Sequence, residues 1–205
     1  MTVLVGANGS GKTTLLRSIA GLRAPLTGWV ERAPGRVAYL PQDPGALLHR
    51  PSVIAEVRWT IERAGTDEPA ERILEAFGIG GLADAYPRDL SAGERQRAAL
   101  AAILAGRPAI ALLDEPTRGM DGAASDALRR VLDGLRADGC SVVVATHDLE
   151  LAARIADRIV ALEGGAVRDL GAPAIALSGD SPYATEIGAL YPGGPVTLEG
   201  MPRCA

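Results

Sequence analysis

Short, wholly apolar runs recur along this chain, each closed by polar or glycine-rich residues, and between them apolar positions repeat at helical spacing. Val3-Leu4-Val5 precedes a glycine-rich stretch, after which Leu15, Leu16 and Ile19 fall on one helical face. Residues 109–113 form a second run, bounded by Pro108 and Pro116, and Ser141-Val142-Val143-Val144-Ala145 a third, ending at Thr146-His147-Asp148. Runs that are apolar throughout, rather than at alternate positions, are strands buried on both faces, as parallel sheets require. They predict an α/β fold on a mostly parallel sheet. The gap between the first two runs is too long for one crossover helix. Within it, residues 28–40 hold two short strand candidates, 53–63 and 70–77 have helical spacing, and Ser91 opens a helix through Arg97, Leu100 and Leu104. Residues 45–105 therefore read as a helical subdomain inserted in an α/β core made of 1–44 and 106–170. Beyond Asp148, a natural helix cap, residues 151–156 predict a helix and 159–162 a strand; Glu163-Gly164-Gly165 is a turn and 166–168 a further strand. From Gly171 onward proline and glycine recur, so 171–205 reads as a loop-rich tail with at most short helices. No internal repeat is visible.

The candidate chemistry sits at the ends of these runs. Gly6-Ala7-Asn8-Gly9-Ser10-Gly11-Lys12-Thr13 fits the phosphate-loop pattern G-x-x-x-x-G-K-[ST] between a strand and a helix. Its glycines let successive backbone N–H groups form an anion nest that continues into a helix N-terminus, where the helix dipole also favours negative charge. Lys12 would add a point charge on the β- and γ-phosphates, and the Thr13 hydroxyl would hold Mg²⁺. Without the flanking strand and helix the segment would read as a glycine-rich turn with a surface lysine. Asp114 and Glu115 stand at the carboxyl end of the second apolar run, where ligands of open α/β sheets bind. Asp114 is placed for Mg²⁺ and Glu115 for the attacking water, as general base. A bare Asp-Glu pair would read as solvated turn residues; the phosphate loop upstream reverses that. His147, at the end of the third run, could reach the γ-phosphate side of the crevice, although a lone histidine is more often a satisfied structural residue. His49 has no partner acid and reads as structural. Ser91-Ala92-Gly93-Glu94 is a capping box, with Ser91 as N-cap and Glu94 at N3. The same helix N-terminus, with small residues in its first turn, would admit another phosphate. A chain cannot fold that helix onto its own phosphate loop if both face the same way, so a second subunit is implied.

In this order along the chain, these segments resemble the nucleotide-binding domain of an ATP-binding-cassette protein, with motifs spread over nearly all of residues 1–170. The resemblance implies a P-loop NTPase core, ATP and Mg²⁺ as cofactors, and one such domain over residues 1–205. It implies that Gly6, Asn8, Gly9, Ser10, Gly11, Lys12, Thr13 and Thr14 form the Walker A site, and that Ser91 and Gly93 bind ATP on the partner domain. It assigns Thr13, Gln42 and Asp114 to the metal, and Glu115, His147 and Gln42 to catalysis, His147 as the switch histidine. Asp121, in Gly119-Met120-Asp121, matches the loop that communicates across the dimer. The stretches from Gln42 to Leu48, from Leu90 to Arg97 and from Asp114 to Asp121 are similar to energy-coupling-factor ATPases, which drive vitamin and metal uptake. Ser181-Pro182-Tyr183-Ala184-Thr185 and Leu190-Tyr191-Pro192-Gly193-Gly194 are similar to the tail of the second half of fused members. A second ATPase domain and an integral membrane subunit are the implied partners, at the cytoplasmic face of the cell membrane. Residues 43–60, including Leu47, Leu48, Val53 and Val57, are either the lining of the groove for that subunit or ordinary subdomain core.

The chain also departs from the family pattern. Ala92 and Glu94 replace the first glycine and the glutamine of the usual LSGGQ. Family members carry strands and an adenine-stacking aromatic ahead of the Walker loop, so with Met1 just before it these N-terminal strands are expected to be missing. The nearby aromatics Trp29 and Tyr39 are expected to pack in the sheet.

Composition narrows the rest. The 205 residues are 47% hydrophobic and only 3% aromatic, which suits one domain with an aliphatic core. A net charge of −4 gives no electrostatic reason to bind nucleic acid, and no such partner is expected. Cys140 and Cys204 share no metal or redox spacing; Cys140 precedes a strand and is expected to be buried. No apolar stretch reaches the roughly eighteen residues that span a bilayer. Two other classes share the motifs: a soluble ATPase of translation or DNA repair, and a nucleotide-binding module without turnover.

Overall fold

The computed structural model describes residues 1–197 and Gly200. In chain order the elements are β1 (Thr2–Val5), α1 (Lys12–Ala20), β2 (Val37–Leu40), α2 (Val53–Ala64), α3 (Ala70–Ala76), α4 (Ala92–Leu104), β3 (Ile110–Asp114), α5 (Gly122–Ala137), β4 (Ser141–Ala145), α6 (Leu149–Ile155), β5 (Arg158–Glu163), β6 (Ala166–Gly171), α7 (Pro173–Ala176) and α8 (Glu186–Leu190). The fold is α/β with mostly parallel strands, as the apolar runs predict. The chain divides into two compact units, residues 1–15 with 143–205, and residues 16–142.

In the first unit β1 lies between two parallel neighbours, with Thr2 opposite Val143 of β4 and Arg158 of β5. Val3, Val144, Ile159 and Ala161 are fully buried, the burial that their continuous apolar pattern requires. β6 returns antiparallel to β5. Gly164 and Gly165, both at positive φ, form the two-residue turn, whose backbone twist matches that of the strands it joins. The bidentate pair of Arg158 with Asp169, at 2.9 and 2.7 Å, lies across these two strands on the exposed side. Among its described residues the tail holds the short helices α7 and α8.

In the second unit β2 and β3 pair in parallel, Val37 with Ile110 through Leu40 with Leu113. All five residues of β3 are buried. Residues 44–104 are helical wherever they are regular. α2 packs on α3 and α4, and α4 packs on β2. Buried Ala98, Ala99, Ala101 and Ala102 let α4 approach its neighbours closely, while Val53, Val57, Leu74, Phe77, Leu100 and Leu112 fill the space between them.

Two expectations are corrected here, and one open alternative is decided. Of the two strands expected within residues 28–40, only β2 forms; Trp29 is 86% exposed and residues 28–36 lack regular structure, because a strand needs a neighbour and Pro34 also removes a donor. Trp29 therefore does not pack in the sheet, whereas Tyr39 does lie in β2, its hydroxyl accepting from Arg17 Nε at 3.4 Å. Val53 and Val57 have no exposed surface, so they are core of the second unit and line no groove. Cys140 is buried, which pushes its thiol pKa up; Cys204 lies outside the described residues. Among the described residues no helix is long and apolar enough to cross a membrane.

Candidate functional site

The phosphate loop belongs to the first unit. β1 ends at Val5, and the chain turns at Gly6, whose φ of +149° is open to a residue without a side chain. A Cβ there would lie 2.6 Å from the Leu162 carbonyl oxygen and 3.0 Å from Ser10 Oγ, so the loop is pressed directly onto β5. The Ser10 N–H donates to the Ala7 carbonyl at 3.2 Å, and Lys12 begins α1. Lys12 is only 6% exposed; its ammonium folds back over the loop and donates to the carbonyls of Gly6 at 2.7 Å and Ala7 at 3.1 Å. A buried cation is thus held against the loop backbone, and the Ser10 hydroxyl is buried without a hydrogen-bond partner. A buried hydroxyl left unmatched is costly, and an arriving phosphate oxygen would satisfy it. Asn8, Gly9 and Thr14 are exposed, and Gly11 and Thr13 half-buried. Gly6→Ala is expected to lower stability by about 1–3 kcal/mol, through overpacking against backbone that cannot swing aside. The denaturant midpoint checks this.

His147 lies in the same unit, exposed in the turn between β4 and α6. The turn is built by its neighbours: buried Thr146 accepts from the Asp148 N–H at 3.0 Å, and Asp148 caps α6 by accepting from Leu151 N–H at 2.9 Å.

The second unit carries the other candidates. Gln42 is exposed just past β2, beside Asp43, which accepts from Gly45 N–H at 3.1 Å and caps a short 3-10 turn. Asp114 is the last residue of β3 and fully buried; Glu115 follows at 8% exposure. Glu115 has φ +52°, a left-handed conformation uncommon for a residue with a Cβ. The capping box forms as expected, Ser91 Oγ accepting from Glu94 N–H at 3.3 Å and the Glu94 carboxylate from Ser91 N–H at 2.8 Å. Those bonds hold the Glu94 carboxyl below the usual carboxylate range. Asp121 caps α5 by accepting from Ala124 N–H at 2.8 Å. Ser91, Gly93, Arg97, Gly119 and Asp121 line one cavity of about 420 Å³. Gly93 is fixed by contact: a Cβ on it would stand 2.5 Å from the Gly119 carbonyl oxygen. His49 is exposed, and its backbone N–H donates to the buried Glu56 carboxylate.

The structure thus gathers the loop residues and His147 in one unit, and Gln42, Ser91, Gly93, Asp114, Glu115 and Asp121 in the other. Thr13, Gln42 and Asp114 offer hydroxyl, amide and carboxylate oxygens, the hard donors that suit Mg²⁺. Among the described residues no three His, Cys, Asp or Glu side chains cluster as a metal site of their own. One residue that motif spacing does not flag is Gln96, 3% exposed on α4, whose amide reaches the backbone beside Glu115. The available signal was a glutamine on the apolar face with Ala99 and Leu100.

Known proteins resemble this chain in sequence and in fold. The family described as ABC transporter matches residues 1–118. A protein of Streptomyces avermitilis named as an ABC transporter ATP-binding protein is 44% identical over 177 residues, covering 80% of this chain and 32% of its own length. The chain thus spans about a third of that relative. The nickel import ATP-binding protein of Rhodobacter capsulatus is 38% identical over 205 residues, covering 86% of this chain and 80% of its own. A solved structure of an ATP-binding subunit of an ABC transporter superposes with a TM-score of 0.70 at 25% identity, covering 82% of this chain and 78% of that one. With a family match over more than half its length and a relative of which four fifths is matched, this chain belongs to the ABC transporter family of ATP-binding proteins.

Proposed function

We propose that this chain binds MgATP and hydrolyses it to ADP and phosphate, driving import through a membrane subunit, as an ATPase of the energy-coupling-factor type serving uptake of a metal ion or vitamin. The observation that carries this is the match to the nickel import protein over 80% of that relative's length. The loop chemistry supports it: a buried ammonium and an unmatched buried hydroxyl on a strand-to-helix turn are suited to phosphate.

In this mechanism Gly6, Asn8, Gly9, Ser10, Gly11, Thr13 and Thr14 hold the phosphates. Lys12 exchanges its loop carbonyls for the β- and γ-phosphate oxygens. Glu115 accepts the proton of the attacking water, and Gln42 and His147 orient groups on the γ-phosphate side. Thr13, Gln42 and Asp114 would hold Mg²⁺, which when bound neutralises charge developing on the phosphates. Two cassettes, identical, paralogous or fused, pair head to tail, each nucleotide being held by one Walker loop and by Ser91 and Gly93 of the other, with Asp121 communicating between them. Closure around ATP couples hydrolysis to motion. Residues 1–44 and 106–170 act as the core, 45–105 as the helical subdomain and 171–205 as the tail. The membrane subunit docks near Gln42 on the cytoplasmic face, with the half-exposed Leu47 in its groove.

Lys12→Ala is the test of binding. It deletes a charge on the β- and γ-phosphates, so affinity for ATP should fall about tenfold to a hundredfold, and that for AMP much less. The change also removes the Lys12 ammonium from the Gly6 carbonyl and leaves the Ala7 carbonyl with the Ser10 N–H as donor, so AMP is the necessary control. Equal loss for both nucleotides in a calorimetric titration would mean that the loop has come apart. Absence of any heat from wild-type protein with millimolar ATP would overturn the proposed function.

A further inference from the structure

Gln96 lies one turn into α4, on a face otherwise made of alanine and leucine, and only 3% of it is exposed. A buried primary amide is costly unless bonded, and here both bonds go to one place. Its Nε2 donates to the Pro116 carbonyl at 2.9 Å and to the Glu115 carbonyl at 3.4 Å. Those are the two peptide units that carry the chain out of β3, and the first belongs to the residue at φ +52°. A side-chain-bearing residue stays in that conformation only when its surroundings over-determine it, and Gln96 is part of what does so. The same helix meets the same loop a second time, where Gly93 abuts the Gly119 carbonyl too closely to admit a Cβ. The first turn of α4 is therefore braced at two points against the segment from Glu115 to Asp121. It cannot shift without moving the Glu115 backbone.

We infer that Gln96 is a positioning residue that fastens the nucleotide-facing end of α4 to the backbone of Glu115, so that a partner's ATP arriving at Ser91 and Gly93 sets the general base of this chain's own site. This rests on the proposed roles of Glu115 as base and of Ser91 and Gly93 as ligands in trans. Gln96 is buried and donates to backbone carbonyls rather than to a reacting group. It acts through the peptide units it holds, which orient the Glu115 carboxylate by way of its Cα.

The test is Gln96→Met in the full chain, which keeps length and apolar volume and removes both N–H donors. The expected result is a kcat for ATP hydrolysis lower by about tenfold or more, with KM and the stoichiometry of bound ATP within about twofold of wild type. A purely structural amide would instead lower rate and bound nucleotide together, as folded protein is lost, and that result would overturn the proposal. So would an unchanged kcat. If the methionine variant does not fold, Gln96→Asn, which keeps the amide on a shorter stem, carries the same split. The Glu115→Gln chain separates the two levels. If that substitution alone leaves turnover intact, the base assignment fails and this proposal with it. If turnover collapses, adding Gln96→Met should cost nothing more, because both changes act on one group. Independent, multiplied losses would overturn the coupling while leaving Glu115 as base.

Discussion

Glu115→Gln should reduce steady-state ATP turnover by about a hundredfold or more while leaving ATP bound. The amide keeps the shape of the carboxylate and can still orient a water, but it cannot accept the proton. Little else should change, because two features that fix this residue survive the substitution: the left-handed φ, and the carbonyl held by Gln96. At 8% exposure the side chain has little room for a replacement of different shape, and glutamine has the same one. Turnover is measured at saturating MgATP beside a binding titration. Comparable rates in mutant and wild type would remove Glu115 from the base role; loss of binding as well would point to a collapsed site rather than missing chemistry.

Ser91→Arg should abolish ATP-dependent association of two cassettes. Arginine places a bulky cation over the α4 N-terminus, where it blocks an approaching phosphate and opposes the helix dipole. The capping geometry demands a control. Ser91 Oγ accepts from Glu94 N–H, so the arginine substitution also costs the cap, about 1 kcal/mol. Ser91→Ala loses that cap without covering the helix end, and it should still associate. The variants are compared by light scattering with and without ATP, in a Glu115→Gln background so that nucleotide is not consumed. Association of the arginine variant would leave Ser91 as a helix cap only. Failure of both variants would show that the cap alone accounts for the effect.

What the sequence makes legible follows from how local each cause is. β1, β3 and β4 stand within a residue of their apolar runs because strands buried on both faces have no polar positions to blur the pattern. The capping box is legible because both of its bonds lie within four residues. The phosphate loop is legible because its chemistry is a fixed spacing. The strand expected around Trp29 fails because its existence depends on a neighbour, which no local pattern supplies. Helix α5 is carried by Ala124, Ala127, Leu128 and Leu132, but its cap, Asp121, reads first as a functional residue, and one residue serves both parts. Gln96 and the left-handed turn at Glu115 are the least legible. The bonds join positions 19 and 20 residues apart, and the φ is a consequence of packing rather than of residue type. The brace of Gly93 on Gly119 is hidden for the same reason: a glycine in a helix's first turn carries no mark of what stands against it.

The paired site is tested most directly by mixing two inactive chains. Glu115→Gln lacks the base but keeps a sound Ser91–Gly93 segment; Ser91→Arg lacks that segment but keeps a sound loop and base. Each alone should be nearly silent, since Glu115→Gln dimers lack the base at both sites and Ser91→Arg chains do not associate with one another. Mixed in equal amounts with MgATP, each dimer that pairs one chain of each kind carries one intact site, formed by the loop of the Ser91→Arg chain and the helix of the Glu115→Gln chain. Hydrolysis should then recover to as much as about a quarter of the wild-type rate. A mixture no more active than its components, made from variants that each bind ATP, would contradict head-to-tail pairing.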